Sequence, residues 1–509
     1  MSTRKTHHAG KRRFLATLAA TGAAATLPMG ARAQSADAVW DLIVVGGGNS
    51  GLPAAIFAAA RGARVLIIEA AGQIGGTLFL SSGQMSAGGT KLQKSKGIED
   101  SGQLHYDDIM RISKGTANKD LVRLAVFNAA DTFDWLTDNG FQAKPEHPVT
   151  GTTHEPYSRA RYAWGAKGGI SILEVLEKQI QPHIDAGRIK VLTATEATDL
   201  IQDAGGAVTG VVAKGEDGVS TRHMGRNVLL SCGGYASNSK MFEELEGVPD
   251  YSDVSYPYSQ GAGITLGTKA GGYVRGGEHH LPLFGAIPRD EDFPAPTAAM
   301  ARHFPGDRPP WEIFVNVDGK RFLAEDILSH DAYEHGLRDQ PHERAWAIFD
   351  EEILSKAPPL VSRWTPQEVR DAVGTYNFFY RADTIAELAR AAGVDEKNLV
   401  ATVEAYNRAQ AGKAKDSFGR THMPLPIAKP PFYAIRTQSW QLSTYAGLAV
   451  DKDLRVIRQD GAPIQNLYAC GELLGTSVFM GASYCGGMLV TPALTFGRLL
   501  GQKMLKFDV

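Results

Sequence analysis

Residues 40–51 read WDLIVVGGGNSG, and this stretch decides the fold. The apolar run 42–45 is typical of a buried strand, and glycines follow it at positions 46, 48 and 51. A helical pattern over residues 52–61 comes next, followed by a second strand over 64–68 that ends at Glu69. This order of strand, glycine turn, helix, strand and acid predicts a dinucleotide-binding unit.

The residues of this unit have separate expected tasks. Gly46 permits the tight turn, Gly48 lets the backbone approach a pyrophosphate, and Gly51 lets the helix pack close to the strand. The helix N-terminus attracts the anion, and Glu69 is spaced to bind a ribose diol. The cofactor-binding residues predicted from this unit are Gly46, Gly48, Asn49, Ser50, Gly51, Glu69 and Ala70.

A second loop rich in glycine and serine helps to distinguish NAD from FAD. Residues 72–77 read GQIGGT, and residues 80–83 read LSSG. A nicotinamide domain does not need such a loop, whereas the elongated flavin dinucleotide needs a second backbone cradle. The loop therefore indicates FAD, with contacts predicted at Gly76, Thr77, Ser81, Ser82 and Gly83.

Residues 41–90 resemble the flavoprotein subunits of fumarate reductase and succinate dehydrogenase, a superfamily that also contains 3-ketosteroid dehydrogenases and urocanate reductases. The similarity continues through NVLLSCGG at 227–234, VNVDGKRF at 315–322, NLYACGE at 466–472 and TFGR at 495–498. It implies bound FAD, held non-covalently because the attachment histidine of the family is absent from the loop. The further FAD contacts that it implies are Gly233, Gly471, Glu472, Gly487, Leu489 and Val490.

The resemblance also implies the architecture. We expect an α/β fold, in which a doubly wound, Rossmann-like FAD-binding domain carries an inserted α+β capping domain. Residues 37–275 and 440–509 are expected to form the FAD-binding domain. Residues 276–439 are expected to form the capping domain, which closes over the flavin and holds the substrate.

Three positions depart from the dicarboxylate reductases that the chain resembles. Ser443 stands where those enzymes have a carboxylate-binding histidine, and Tyr484, in GASYCGG, stands where they have an arginine. The loop of their proton-donating arginine falls at about Ser329 and His330. Arginine forms bidentate bonds with carboxylates, so these changes argue against fumarate or succinate as the substrate. The predicted catalytic residues are Tyr484, His330 and Ser443.

The first functional hypothesis is an enzyme that resembles the 3-ketosteroid dehydrogenases and acts on a carbon–carbon bond next to a ketone. Members of that branch also carry a tyrosine in the C-terminal glycine-rich segment. Tyr484 would polarise the ketone oxygen together with a backbone N–H of Gly486 or Gly487. His330, or Tyr333 from further along, would take the place of a second tyrosine as the base.

The second hypothesis is a periplasmic reductase of an unsaturated acid, such as urocanate or an aryl acrylate, that receives electrons from a cytochrome or a quinol. A third reading is a binding protein without turnover, and the intact FAD elements count against it. Either enzyme needs a small-molecule substrate and an external electron acceptor or donor.

Further tyrosine and histidine residues could either line the substrate cleft or pack inside the protein. Tyr157, Tyr162, Tyr256 and Tyr258 lie in stretches that could line a substrate cleft, but packing is favoured for each. For His279 and His280, an exposed or structural position is favoured over a substrate contact.

The N-terminus reads as an export signal. Residues 1–33 contain six basic and no acidic residues, an apolar run over 14–27, and a small-residue cleavage pattern at 31–33. The KRRFL segment resembles a twin-arginine signal, so we expect a periplasmic protein without a membrane span in its mature form.

Charge and cysteine content exclude other classes of function. The net charge of −2 gives no case for a nucleic-acid partner. The three cysteines, at 232, 470 and 485, are too few and too scattered for a metal site or a disulfide framework.

Overall fold

The computed structural model describes residues 39–151, 155–291 and 293–507. The predicted signal segment, residues 1–33, lies outside the described residues.

The elements of the chain are as follows. The strands are β1 (Leu42–Val45), β2 (Val65–Ile68), β3 (Met85–Ser86), β4 (Tyr162–Ala163), β5 (Ile189–Leu192), β6 (Thr195–Gln202), β7 (Val208–Gly215), β8 (Ser220–Met224), β9 (Val228–Leu230), β10 (Ser252–Asp253), β11 (Val274–Arg275), β12 (Leu283–Pro288), β13 (Ala295–Met300), β14 (Ile313–Val315), β15 (Arg344–Asp350), β16 (Phe379–Ala382), β17 (Phe432–Trp440), β18 (Gly447–Leu448), β19 (Arg455–Ile457) and β20 (Pro463–Ala469). The α-helices are α1 (Gly51–Ala60), α2 (Lys91–Ser95), α3 (Gly102–Ile112), α4 (Lys119–Val126), α5 (Ala129–Asp138), α6 (Ile170–Asp185), α7 (Ser239–Glu246), α8 (Ala262–Lys269), α9 (His330–Arg338), α10 (Glu351–Lys356), α11 (Pro366–Ala372), α12 (Ile385–Ala392), α13 (Glu396–Gln410), α14 (Ser477–Met480) and α15 (Val490–Leu499). Short 3₁₀ helices cover Gly76–Phe79, Gly277–His279, Pro341–Glu343 and Gly471–Leu474, and a π-helical turn covers Leu500–Met504.

The first sheet carries the dinucleotide fingerprint. Its strand order is β19-β20-β9-β1-β2-β5, and every pair except β19–β20 is parallel. The residues of β1, β2 and β9 are all buried, as strands covered on both faces require. The prediction of an α/β fold with a parallel sheet after the glycine turn is confirmed.

Helices α1 and α15 pack closely beside this sheet because small residues lie where they meet. A Cβ atom on Gly497 would lie 2.0 Å from the Ser50 carbonyl oxygen, and one on Gly501 would lie 2.3 Å from that of Ala54. The glycine of the TFGR motif therefore fixes the approach of the last helix to the first.

A second hydrophobic core belongs to a separate sheet. The sheet has the order β10-β13-β12-β17-β15-β14, with β16 also paired to β17. Its buried residues run from Ile287 to Ile435, inside the interval predicted for the capping domain. Strand β10 precedes residue 276 yet pairs with β13, so this sheet reaches beyond that interval. The domain boundaries stay a prediction.

Candidate functional site

The glycine turn after β1 forms one end of the candidate site. Gly46 has φ +99°, and a Cβ atom there would lie 2.6 Å from the Cα atom of Cys232. A Cβ atom on Gly48, by contrast, would meet no atom within 4 Å. No side chain caps the N-terminus of α1 at Ser50, and the Leu52 N–H donates to the Gly48 carbonyl oxygen at 3.0 Å, so an anion would be attracted mainly by the partial positive charge of the helix end.

Glu69 closes this end of the site at the end of β2. Its carboxylate accepts hydrogen bonds from the backbone N–H groups of Gly47, at 2.7 Å, and Ala71, at 2.8 Å. Burial raises the pKa of Glu69, and these backbone hydrogen bonds oppose the rise. The carboxylate is therefore held in place at the edge of the turn.

Two adjoining clefts run from this turn. The smaller cleft has a cavity volume of about 90 Å³, and its lining includes the predicted residues Gly46, Gly48, Asn49, Ser50, Glu69, Ala70, Gly76, Thr77, Gly233 and Glu472. The larger cleft has a cavity volume of about 350 Å³, and its lining includes Asn49, Thr77, Ser81, Ser82, Glu472, Gly487, Leu489 and Val490. Asn49, Thr77, Tyr256 and Glu472 line both clefts, which makes one elongated groove. Such a groove fits an extended dinucleotide better than a compact ligand.

The far end of the groove has a second uncapped helix terminus. Leu489 and Val490 line the larger cleft at the start of α15, where no side-chain cap is present. Glu472 lies beside it and accepts a hydrogen bond from the Thr444 N–H at 3.2 Å. Burial raises the pKa of Glu472 to about 7, against the effect of that hydrogen bond. The residues present therefore fit FAD, with helix termini at both ends of the groove.

Three predicted cofactor glycines line neither cleft, and the structure gives each of them a packing contact. A Cβ atom on Gly51 would lie 2.1 Å from the Gly46 carbonyl oxygen. One on Gly83 would lie 2.6 Å from the Gly168 backbone, and one on Gly471 would lie 2.6 Å from the Ser50 hydroxyl. These glycines allow neighbouring backbone segments to pack closely and do not face the groove.

The three predicted catalytic residues, Tyr484, His330 and Ser443, all line the larger cleft. Burial lowers the pKa of His330 to about 4, so its imidazole is neutral at pH 7. Burial, helped by the nearby Glu334, raises the pKa of Tyr484, so its phenol keeps its proton. The Ser443 hydroxyl accepts a hydrogen bond from Thr476 at 3.2 Å.

The larger cleft is poor in charge. Among the described residues that line it, none is lysine or arginine, and Glu472 and His330 are the titratable groups other than tyrosine. Several arginines beside the second core instead form ion pairs with buried carboxylates. Arg308 pairs with Glu312, and both Arg321 and Arg420 pair with Glu325.

Several lining residues were missed from the sequence. Gln84, Trp440, Gln441 and Tyr445 face the larger cleft, where Gln84 also accepts a hydrogen bond from the Tyr162 hydroxyl at 2.5 Å. Trp440 ends the long strand β17, and the end of a buried strand was the one signal available for it. Tyr256 lines both clefts and Tyr258 lines the smaller one, whereas the sequence analysis favours a packing role for each.

His280 has a structural setting. His280 is buried between two carboxylates, 3.5 Å from Glu246 and 3.2 Å from Glu343, and lines neither cleft. Within the described part of the chain, no group of three histidine, cysteine or acidic residues could hold a metal ion. Nor is any helix of that part both long and apolar enough to cross a bilayer.

Comparison with known families settles the cofactor class. A family model described as an FAD binding domain, FAD_binding_2, matches residues 41–489. The chain belongs to this FAD-binding family. The predicted FAD cofactor and the predicted superfamily of fumarate reductases and ketosteroid dehydrogenases are therefore confirmed.

The relatives are oxidoreductases by name. The chain is 29% identical over 472 residues to an NADH:fumarate oxidoreductase of Klebsiella pneumoniae (strain 342), covering 92% of this chain but 48% of that protein. It is 27% identical to a fumarate reductase (cytochrome) of Shewanella frigidimarina, covering 92% of this chain and 77% of the relative. The chain thus spans about half the length of the first relative and about three quarters of the second.

A solved structure shares the fold. A 3-ketosteroid Δ1-dehydrogenase from Sterolibacterium denitrificans, in complex with 1,4-androstadiene-3,17-dione, superposes with a TM-score of 0.75 at 20% identity. The match covers 92% of this chain and 99% of the other. The predicted fold class, an FAD-binding α/β domain with a capping domain, is confirmed. The family is one of FAD-dependent oxidoreductases.

Proposed function

We propose that the protein is an FAD-dependent oxidoreductase that acts on a CH–CH bond next to a carbonyl group whose surroundings carry no charge. The observation that carries this proposal is the larger cleft, which has a phenol and a neutral imidazole but no lysine or arginine among its described lining residues. Recognition of a dicarboxylate requires cationic partners in such a cleft.

The site residues divide the chemistry between them. When bound, FAD supplies or accepts the hydride. The protonated phenol of Tyr484 donates a hydrogen bond to the carbonyl oxygen, where negative charge develops as the neighbouring C–H bond is made or broken. The neutral ring of His330 is in the state that accepts a proton from the carbon beside the carbonyl. Ser443 adds a hydroxyl that orients the substrate.

The FAD contacts proposed for this chain follow the two clefts. The uncapped start of α1, with Gly48, Asn49 and Ser50, would hold the pyrophosphate. The uncapped start of α15, at Leu489 and Val490, would hold the polar edge of the isoalloxazine ring. Non-covalent binding of FAD belongs to the proposal as well.

A second candidate is a reductase of fumarate, urocanate or an aryl acrylate, fed by a cytochrome or a quinol. The two relatives described above, an NADH:fumarate oxidoreductase and a fumarate reductase (cytochrome), favour it. The lack of lysine and arginine in the described cleft lining counts against a dicarboxylate, but much less against an aryl acrylate, which has a single carboxylate and an apolar ring.

Cellular context completes the proposal. We take residues 1–33 as a twin-arginine-type signal that delivers the folded protein to the periplasm, supported by their basic, apolar and small-residue pattern. The electron partner would then be a quinone or a cytochrome. Fusion of these residues to a reporter that is active only after export tests this part, and retention of the reporter in the cytoplasm would contradict it.

Steady-state assays in both directions test the catalytic proposal. Dye-linked oxidation of cyclic ketones and steroids is compared with viologen-driven reduction of fumarate, urocanate and cinnamate. We expect ketones to be the better substrates and Tyr484→Phe to lower kcat/KM by about 10²–10³, the usual loss of one oxyanion donor. The matched control is Tyr380→Phe, on β16 and outside both clefts.

Two results would contradict this assignment. Efficient turnover of fumarate would contradict the proposal that the substrate carries no charge around its carbonyl group. An unchanged rate in Tyr484→Phe would remove the role of the phenol, whichever substrate is turned over.

A further inference from the structure

Gln84 places a carboxamide group in the wall of the larger cleft. It lies directly before β3, which pairs antiparallel with β4 so that Ser86 is opposite Tyr162. Side chains two residues apart along a strand point to the same face, so Gln84 and Tyr162 are diagonal neighbours on one face of this two-stranded ladder. The ladder therefore brings a phenol beside the amide.

Tyr162 fixes the orientation of this amide. Its hydroxyl donates a hydrogen bond to Gln84 Oε1 at 2.5 Å. The tyrosine is 1% exposed, and among the described residues its hydroxyl has no other hydrogen-bond partner. A phenol that is enclosed by protein needs an acceptor for its proton, so the oxygen of the carboxamide, and not its NH₂ group, points to Tyr162.

The NH₂ group of Gln84 is consequently left for the cleft. Within the described part of the chain, Nε2 has no hydrogen-bond acceptor, and it is not among the polar atoms that protein encloses completely. An amide whose oxygen is already engaged offers two N–H donors and carries no charge. The ligand group that it suits is therefore an acceptor, such as a carbonyl oxygen.

Tyr162 also connects Gln84 to the glycine-rich loop that carries Tyr484. A Cβ atom on Gly486, two residues after Tyr484, would lie 3.2 Å from the Tyr162 ring. The Gly486 carbonyl oxygen accepts a hydrogen bond from the Tyr157 hydroxyl, which holds the loop against the same tyrosine-rich segment. Gln84 and Tyr484 both line the larger cleft, so two hydrogen-bond donors of one cleft lie on segments that pack against each other.

We propose that Gln84 is a substrate-binding residue whose NH₂ group donates a hydrogen bond to a carbonyl or carboxyl oxygen of the substrate, and that Tyr162 is its positioning residue. The inference rests on the proposed function of the same cleft and adds a residue that selects the substrate. A substrate with an oxygen at this place is held in one orientation relative to Tyr484. A substrate without one leaves the N–H groups unpaired and binds more weakly.

Binding of cyclohexanone to the oxidised holoenzyme at pH 8, followed in the flavin absorbance, tests the contact. We expect Gln84→Leu to raise the Kd by about 2–12-fold, the loss of one neutral hydrogen bond. Gln84→Glu should raise it at least as much, because its carboxylate still accepts the Tyr162 proton but has no donor for the ligand. The matched control is Gln181→Leu, at an exposed glutamine of α6, which should leave the Kd unchanged.

Tyr162→Phe tests the positioning role, since it removes the hydroxyl and keeps the ring against Gly486. The amide is then free to turn, so the Kd for cyclohexanone should rise, but by no more than in Gln84→Leu. The variant that combines both changes should have the same Kd as Gln84→Leu, because Tyr162 acts only through the amide. A merely structural role of Tyr162 would instead add its effect. Tyr380→Phe, outside both clefts, is the control.

Several results would overturn the proposal. These are a wild-type Kd in either Gln84 variant, additive effects in the combined variant, and a changed flavin spectrum in ligand-free Gln84→Glu, which would place the amide on the cofactor. Should Gln84→Leu lose its FAD, Gln84→Glu decides, because it retains the acceptor for Tyr162. If wild type binds cinnamate but not cyclohexanone, the proposed function fails separately, and the same variants test Gln84 with the carboxylate of cinnamate. Binding of neither ligand would contradict both.

Discussion

Two glycines of the fingerprint, Gly48 and Gly51, have different tasks, as the motif predicts. A Cβ atom on Gly51 would lie 2.1 Å from the Gly46 carbonyl oxygen and 2.7 Å from the Ser231 hydroxyl, so the backbone would have to move. A Cβ atom on Gly48 would enter open space. Gly51 therefore serves packing, and Gly48 serves the ligand.

This contrast predicts opposite defects for two alanine variants. Gly51→Ala should lower the stability of the apoprotein by about 1–3 kcal/mol or more, through overpacking beside β1. Gly48→Ala should leave the apoprotein as stable as wild type but weaken FAD binding, because its methyl group occupies the approach of the pyrophosphate. Thermal unfolding of the apoproteins and fluorescence titration with FAD measure the two effects. A stable Gly51→Ala apoprotein, or a Gly48→Ala variant with full FAD affinity, would contradict this division.

A buried ion cluster ties elements of the two cores together. His280, which follows the 3₁₀ helix Gly277–His279, lies between Glu246 at the end of α7 and Glu343 just before β15. Glu246 also accepts hydrogen bonds from the Tyr235 hydroxyl and from the backbone N–H of Tyr445, a cleft residue. Burial disfavours the charged imidazole, but the two carboxylates outweigh it and raise the pKa of His280 to about 9.

His280→Gln should therefore destabilise the protein by about 3–5 kcal/mol at pH 7, because it leaves two buried carboxylates without their cation. The folded-state pKa lies above the unfolded value, so this contribution is complete below pH 6.5 and is lost as the pH rises through about 9. Denaturation midpoints from pH 6 to 10 should converge for wild type and variant at the alkaline end. His279→Gln, at the half-buried neighbour, is the control and should shift the midpoint little. Parallel curves for wild type and His280→Gln would exclude a charged His280.

At the scale of the whole molecule, one groove takes its walls from distant parts of the chain. Residues 45–84, 195–197, 231–262 and 440–493 all contribute to it, with Leu281, Leu283 and His330 from between them. A ligand that fills this groove contacts all of these segments at once.

FAD should accordingly raise global stability. At a free FAD concentration 100 times Kd, linkage predicts a gain of about 2.7 kcal/mol for binding to the folded state alone. Removal of FAD should lower the melting temperature, and re-addition should restore it in wild type but much less in Gly48→Ala. NAD should have no such effect at the same concentration. Equal stabilisation by NAD, or none by FAD, would contradict the cofactor assignment.

Local sequence was enough for the parts of the protein that local geometry controls. The strand, glycine turn, helix and acid of residues 42–69 lie next to each other in the chain, so their spacing predicts both the turn and its ligand class. The motif also assigns Gly51 to packing and Gly48 to the approach of the ligand, and of these two positions only Gly51 would bring a Cβ atom into close contacts. The contacts at Ser81 and Ser82 were predicted from the second glycine- and serine-rich loop, and those at Leu489 and Val490 from the resemblance; all four residues line the larger cleft.

The character of the cleft was decided by tertiary structure. Tyr484, His330 and Ser443 come from segments more than 40 residues apart, and no periodicity shows that they share a wall with Gln84 and Trp440. The sequence contains Arg308, Arg321 and Arg420. It does not show that these arginines form ion pairs with buried carboxylates instead of lining the cleft. The ionisation of His280 likewise depends on which distant groups burial brings beside it. Charge and solvent exclusion act through space, so they are fixed only once the chain has folded.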